Sequence, residues 1–132
     1  MSGREDAGRR VMGVLGIDPD AVIASVAALD ERFGHTIVEY AFGDVVGRPE
    51  LDLRTRQLVT LALLAAQGGC EPQLDTHIPA TLRAGATRDE IVALFVHLTP
   101  YVGIPRSLNA LYQAKRLFDA ADDTIPEQER TP

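Results

Sequence analysis

A chain of 132 residues, 45% apolar and 24% charged, has the profile of one globular domain, long enough to bury a core and too short for two. A net charge of −6 with no basic stripe excludes nucleic acid as a partner, because phosphate binding demands clustered cations. The single cysteine, Cys70, excludes an internal disulfide and a multi-thiolate metal site, as in a reducing cytoplasm.

The opening MSGREDAGRR is polar with no apolar stretch behind it, so no signal peptide is expected. Asp18-Pro19 opens a helix that carries Val22, Val26, Leu29 and Phe33 on one stripe, and Gly34 breaks it. Thr36–Val46 reads as a second helix with Ile37, Tyr40, Ala41 and Val45 inward. A turn over Arg48-Pro49 and Leu51-Asp52 places Asp52 as N-cap of a long helix from Leu53 to about Gln67. A short helix around Gln73–Ala84 is interrupted or started by Pro79 and ends at Gly85. Thr87-Arg88-Asp89-Glu90 is a capping box, followed by Ile91, Leu94, Phe95 and Leu98 as a buried stripe. Pro100 and Gly103 loosen its end, and Pro105 begins a last helix with Leu108, Leu111 and Phe118 apolar. The polar tail from Asp122 to Pro132 is expected to be disordered.

No segment alternates with a period of two, so the fold class is all-α, in a single domain over residues 1–121. The longest apolar run, Leu58–Ala66, is far short of the roughly 20 residues a membrane helix needs. It is apolar on every side, which predicts burial between the subunits of a homo-oligomer.

Cys70, Gln73 and His77 stand at i, i+3 and i+7, a spacing that shares one helix face. A redox pair needs a second thiol where Gln73 stands, so disulfide chemistry within the chain is excluded. Cys70 alone reads first as a small core residue. His77 follows the Gly68-Gly69 turn with Asp75 close by, and its structural and functional readings are evenly balanced. His97 and Tyr101, four apart, flank the Leu94 stripe and border a pocket at the helix end, although an interface aromatic is the plainer reading of Tyr101. His35 and Glu39, also four apart, read as a solvated pair worth about 0.3 kcal/mol. The three histidines are scattered and lack an acidic cluster, so no metal site is expected. A phosphate loop and a serine elbow are both missing.

Three stretches, RRVMGVLG, IVEYAFGDVVGRPELDLRTRQLVTLALLAA and THIPATLRAGATRDEIVALFVHLTPYVGIPRSLNALYQAK, resemble the carboxymuconolactone decarboxylases from about Arg9 to Phe118. The phrases EYAFG, LDLRTRQLVTLALLAA, GATRDEI and YVGIP together make the resemblance specific. The wider superfamily includes the AhpD-like alkylhydroperoxidases, whose CxxCxxxH site would fall on Cys70, Gln73 and His77. Gln73 in place of the resolving thiol sets that branch aside.

The resemblance implies an all-α fold assembled as trimers or hexamers, with no metal or organic cofactor. It also implies a reaction in aromatic catabolism, along the β-ketoadipate pathway. There 4-carboxymuconolactone loses CO₂ to give the enol-lactone of 3-oxoadipate. By the same resemblance His77 takes the proton-transfer or oxyanion role, and Glu39 orients an imidazole or manages the proton. His97 and Tyr101 fall at the pocket rim. Arg54 and Arg56 bind substrate carboxylate or, equally, cap a helix or pair at an interface. Cys70 and Gln73 join the substrate-binding set.

Four departures bear on the substrate. Pro79 stands where close relatives carry arginine, Thr99-Pro100 replaces a small apolar pair, and Gly68-Gly69-Cys70 is atypical. Arg106 stands where the family usually has alanine and supplies a displaced cation. These departures keep open a relative repurposed for biosynthesis, catalysing proton transfer, isomerisation or cyclisation on a larger substrate. A single-cysteine peroxide reductase or sensor ranks third, and a non-catalytic ligand-binding or scaffold protein fourth. The expected partner is a small carboxylated lactone in the cytoplasm, with no nucleic acid and no membrane.

Overall fold

The computed structural model describes residues 2–124 and 129. Their regular elements are helical: α1 (Gly3–Leu15), α2 (Pro19–Ala27), α3 (Phe33–Thr36), a π-helix (Ile37–Val46), α4 (Leu53–Gln67), α5 (Glu71–Arg83), α6 (Arg88–His97), α7 (Thr99–Val102) and α8 (Ile104–Asp123). The all-α expectation stands. Among the described residues no helix is long and apolar enough to cross a membrane. The chain divides into two compact units, one of Met1–Val59 with Pro79–Ala86, the other of Thr60–Ile78 with Thr87–Pro132.

In the first unit, α1 had no counterpart in the apolar pattern. Its buried face is Glu5, Gly8, Met12 and Leu15, of which only two are large and apolar. The helix is capped by Ser2, whose hydroxyl accepts from the Glu5 N–H at 3.1 Å. α1 lies against the π-helix at glycine contacts. A Cβ at Gly8 would sit 2.1 Å from the Val38 carbonyl oxygen, and one at Gly43 2.4 Å from that of Arg4. Around this contact Met12, Leu15, Ile17, Val38, Phe42 and Ala80 form the core. Each large member contributes about 1.5–3 kcal/mol by burial.

Two expectations fail here. The stripe through Leu29 and Phe33 is not buried, since α2 stops at Ala27 and these residues are 91% and 53% exposed. The Asp30 carboxylate accepts from the N–H groups of Arg32 and Phe33, both at 2.9 Å, and this local turn replaces the helical ladder. The segment Thr36–Val46 is not an α-helix for most of its length. It winds as a π-helix closed by the Gly47 N–H donating to the Phe42 carbonyl five residues back, at 3.0 Å. Val38 and Phe42 face inward and Tyr40 and Val45 are exposed, against expectation, while Ile37 and Ala41 pack at the edge of the core as expected.

In the second unit, the capping box forms as expected: Thr87 Oγ1 accepts from the Glu90 N–H at 3.1 Å, and Glu90 Oε1 from the Thr87 N–H at 3.0 Å. Ile91 and Phe95 on α6 are fully buried, and α6 packs on α8. The buried residues of α8 are small (Ser107, Ala110 and Ala114), so the two backbones approach closely, while Leu108 lies partly in solvent. Arg88 pairs with Asp122 at 2.9 Å and lies 4.8 Å over the Phe118 ring. The last helix therefore takes in Asp122 and Asp123, the first residues of the expected tail. Residues 125–128 and 130–132 of that tail lie outside the described residues. Within Leu58–Ala66, Leu61 and Ala65 are buried but Val59 and Leu63 are about half exposed. α5 begins at Glu71, ahead of the expected start, and Pro79 sits inside it.

Candidate active site

His77 projects from the second turn of α5 and is partly buried. Burial penalises the charged imidazolium and pushes its pKa below the ordinary histidine value. The ring is therefore neutral at pH 7, with one N–H donor and one acceptor nitrogen. Asp75 is turned away to α8. Its Oδ1 accepts from Gln113 Nε2 at 3.0 Å and from Arg116 Nη2, and Gln113 Nε2 also reaches the Glu71 carbonyl at 3.4 Å. Asp75 thus fastens α5 to α8. Gln113 and Arg116, spaced i, i+3 on an otherwise amphipathic helix, were the only signal for this fastening.

Cys70 immediately precedes α5, where its carbonyl accepts from the Leu74 N–H at 2.9 Å. Its Sγ lies 3.6 Å from the Gly68 carbonyl and 3.9 Å from Gln67 Oε1, as a weak S–H donor. Gly68 and Gly69 both adopt left-handed backbone, φ 71° and 70°, which brings the chain sharply into α5. Cys70, Glu71, Leu74, Arg106 and Asn109 line a cavity of about 10 Å³, room for one water. The Arg106 Nε lies 3.1 Å from where a Cβ on residue 68 would sit. Among the described residues Arg106 makes no hydrogen bond or ion pair. The fold thus brings Cys70 and Arg106 together, while Gln73 points to solvent.

His97 and Tyr101 are adjacent, ring centroids 5.6 Å apart and planes tilted by 46°, but both are exposed, Tyr101 by 75%. Neither lines the small cavity, nor a larger apolar groove of about 370 Å³ walled by Val92, Leu111, Tyr112 and Phe118. That groove is rimmed by the Lys115–Asp119 ion pair at 2.6 Å and contains no imidazole.

In the first unit, Glu39 Oε1 accepts from Ser2 Oγ at 3.0 Å, and Oε2 lies 3.4 Å from Arg4 Nη1. The same guanidinium forks onto Asp44, at 3.0 Å from Nε and 2.7 Å from Nη2. His35 does not pair with Glu39. Its Nδ1 faces Glu5 Oε1 at 3.3 Å, and Glu5 is held below the usual carboxylate range chiefly by its hydrogen bond from Arg9. The i, i+4 alignment expected of His35 and Glu39 is lost where α3 passes into the π-helix. Arg56 donates to the carbonyls of Leu51 at 2.8 Å and Arg48 at 3.1 Å, stitching the turn before α4. Arg54 is partly buried and passes beside Gly85. For Arg56 the geometry favours the structural of the two roles open to it.

Comparison with known proteins agrees with this architecture. The family model "Carboxymuconolactone decarboxylase family" matches residues 31–116. A 4-carboxymuconolactone decarboxylase of Acinetobacter baylyi is 38% identical over 89 residues, covering 67% of this chain and 66% of that protein. An uncharacterised 15.0 kDa protein of Paracoccus denitrificans is 33% identical over 88 residues, covering 66% of each. A nitrosuccinic acid decarboxylase of Metarhizium robertsii is 35% identical over 83 residues, 63% of this chain and 57% of that protein. The aligned part thus spans less than two thirds of each relative's length, from 57% to 66%. The chain belongs to the carboxymuconolactone decarboxylase family.

Proposed function

We propose that the protein is a cofactor-independent carboxy-lyase acting on 4-carboxymuconolactone, or on a related carboxylated lactone, to release CO₂ and an enol-lactone. Two of the relatives are named as decarboxylases, one of 4-carboxymuconolactone and one of nitrosuccinic acid, which supports the reaction class. The observation that carries the reading is a partly buried imidazole on α5, whose burial disfavours its charged form.

The chemistry asks little of the protein. The carbon–carboxylate bond breaks, CO₂ leaves, and the electron pair passes through the conjugated system into the lactone carbonyl as a dienolate. One proton from solvent then returns to carbon. A neutral His77 suits the oxyanion role better than the acid role, because a neutral imidazole donates a hydrogen bond from its N–H but carries no second proton to release. Partial burial strengthens that hydrogen bond and weakens hydration of the departing carboxylate. Arg106, a cation with no counter-ion among the described residues, is assigned to the second carboxylate. Glu39 manages the returning proton. His97, Tyr101, Arg54, Cys70 and Gln73 complete the proposed binding set. The working form is a homo-oligomer, a trimer or hexamer, in which Val59, Leu63, Ile104 and Tyr112 lose their exposure.

The test is to incubate the purified protein with 4-carboxymuconolactone generated in place, with and without EDTA, following CO₂ and the enol-lactone. Turnover is expected to survive EDTA and to fall at least a hundredfold in His77→Ala, with assembly retained by light scattering. A folded oligomer that leaves the lactone untouched refutes this substrate. Full turnover in His77→Ala refutes the role of His77.

A further inference from the structure

A π-helix as long as Ile37–Val46 is rare, since π geometry mostly occurs as single-turn bulges in α-helices. What α1 touches on it repeats with the same five-residue interval. The Val38 carbonyl meets Gly8, and Gly43, five residues on, meets the Arg4 carbonyl and the Gly8 nitrogen. Glu39 and Asp44, also five apart, share the guanidinium of Arg4. In an α-helix residues five apart diverge by about 140° around the axis, so one side chain could not hold both carboxylates. In the π-helix they come onto one face, and Arg4 closes on both. The Asp44 carboxyl is held below its ordinary range by that guanidinium.

We propose that Arg4 is a positioning residue for Glu39: by spanning Glu39 and Asp44 it holds the segment in its five-residue register and thereby places the Glu39 carboxylate. Ser2 completes the grip, its hydroxyl donating to Glu39 Oε1 while accepting from the Glu5 N–H. One end of α1 thus fixes both its own cap and the direction of Glu39. The functional consequence rests on the proposed role of Glu39 in the decarboxylation. The structural one stands without it.

The experiment measures amide-to-carbonyl couplings across hydrogen bonds by NMR over residues 37–47, in wild type, Arg4→Ala and Asp44→Ala, alongside steady-state kinetics. Wild type is expected to couple the amides of residues 42–47 to the carbonyls five residues back, while the Ile37 amide bonds to Phe33 and Gly34. Both variants are expected to shift to the carbonyl four residues back between Glu39 and Asp44. Exposed ion pairs add little stability by themselves, so both variants are expected to fold, and any fall in melting point reports the altered packing of the segment on α1. kcat is expected to fall roughly tenfold to a hundredfold with KM within about twofold of wild type, the signature of a misplaced group. An unchanged five-residue pattern in both variants overturns the register claim. A shifted pattern with unchanged kcat overturns the positioning of Glu39. Where wild type lacks decarboxylase activity the couplings still decide the register, so failure of the functional reading is distinguished from failure of this one.

Discussion

Replacing Gly8 by alanine tests the contact on which the first unit is built. The new Cβ would lie 2.1 Å from the Val38 carbonyl oxygen and 2.9 Å from its carbon. A relaxed C···O contact is near 3.3 Å, so α1 and the π-helix must part by roughly 1.2 Å. Overpacking costs about 1–3 kcal/mol, and the upper end applies because the neighbour is backbone and cannot rotate away. Alanine returns about 1 kcal/mol of helix propensity, leaving a net loss of about 2 kcal/mol. Gly13 supplies the control: it lies in the same helix and a Cβ there would meet nothing within 4 Å, so Gly13→Ala keeps the propensity gain without the clash. The assay is urea unfolding followed by circular dichroism. With a slope of about 1–3 kcal/mol per molar, Gly8→Ala is expected to lower the midpoint by roughly 0.7–2 M. Gly13→Ala is expected to raise it slightly. Equal midpoints for the two variants would refute the claim that α1 docks through Gly8.

The remaining predictions concern the second unit. His77 has a depressed pKa in the folded chain, so the unfolded chain binds the proton more readily as pH falls through its ordinary value of 6.5. Stability from this group is full above that value, declines as pH falls to the folded pKa, and is level below it. Unfolding free energies measured between about pH 8 and 5 should show this decline in wild type and lack it in His77→Gln. An identical pH slope in the two would sink the desolvation account. At the glycine pair, Gly69→Ala meets no atom within 4 Å and should cost only the left-handed backbone, about 1–2 kcal/mol. Gly68→Ala, at the same φ, also meets Arg106 Nε at 3.1 Å and should cost more, with the excess removed in an Arg106→Ala background. Additive losses in that double-mutant cycle would show that Arg106 is not held over the loop in solution.

Features written in adjacent residues were legible from the sequence. The Thr87–Glu90 capping box, the Asp18-Pro19 start, the extent of α4 and the Ile91–Phe95 stripe all follow from the few residues that make them. Local hydrogen bonds and a 3.6-residue period need no distant partner, and the absence of any period of two was enough to set the class. The family resemblance, carried by whole phrases of sequence, was legible for the same reason.

Tertiary structure decided what depends on a partner far along the chain. α1 was silent in the pattern because it docks through Gly8 and an ion-paired Glu5 rather than through a row of large side chains. The register of Ile37–Val46 left Tyr40 and Val45 outside and put Val38 and Phe42 in the core beside Ile37 and Ala41, since nothing in IVEYAFGDVV itself distinguishes a five-residue ladder from a four-residue one. Asp75 turned to Gln113 and Arg116 instead of His77, and Glu39 to Ser2 and Arg4 instead of His35, each choosing partners on a helix distant in sequence. A carboxylate takes whichever cation or donor the fold brings within reach. Sequence spacing specifies the residues one helical turn along, but only the packing of helices determines which charge stands opposite.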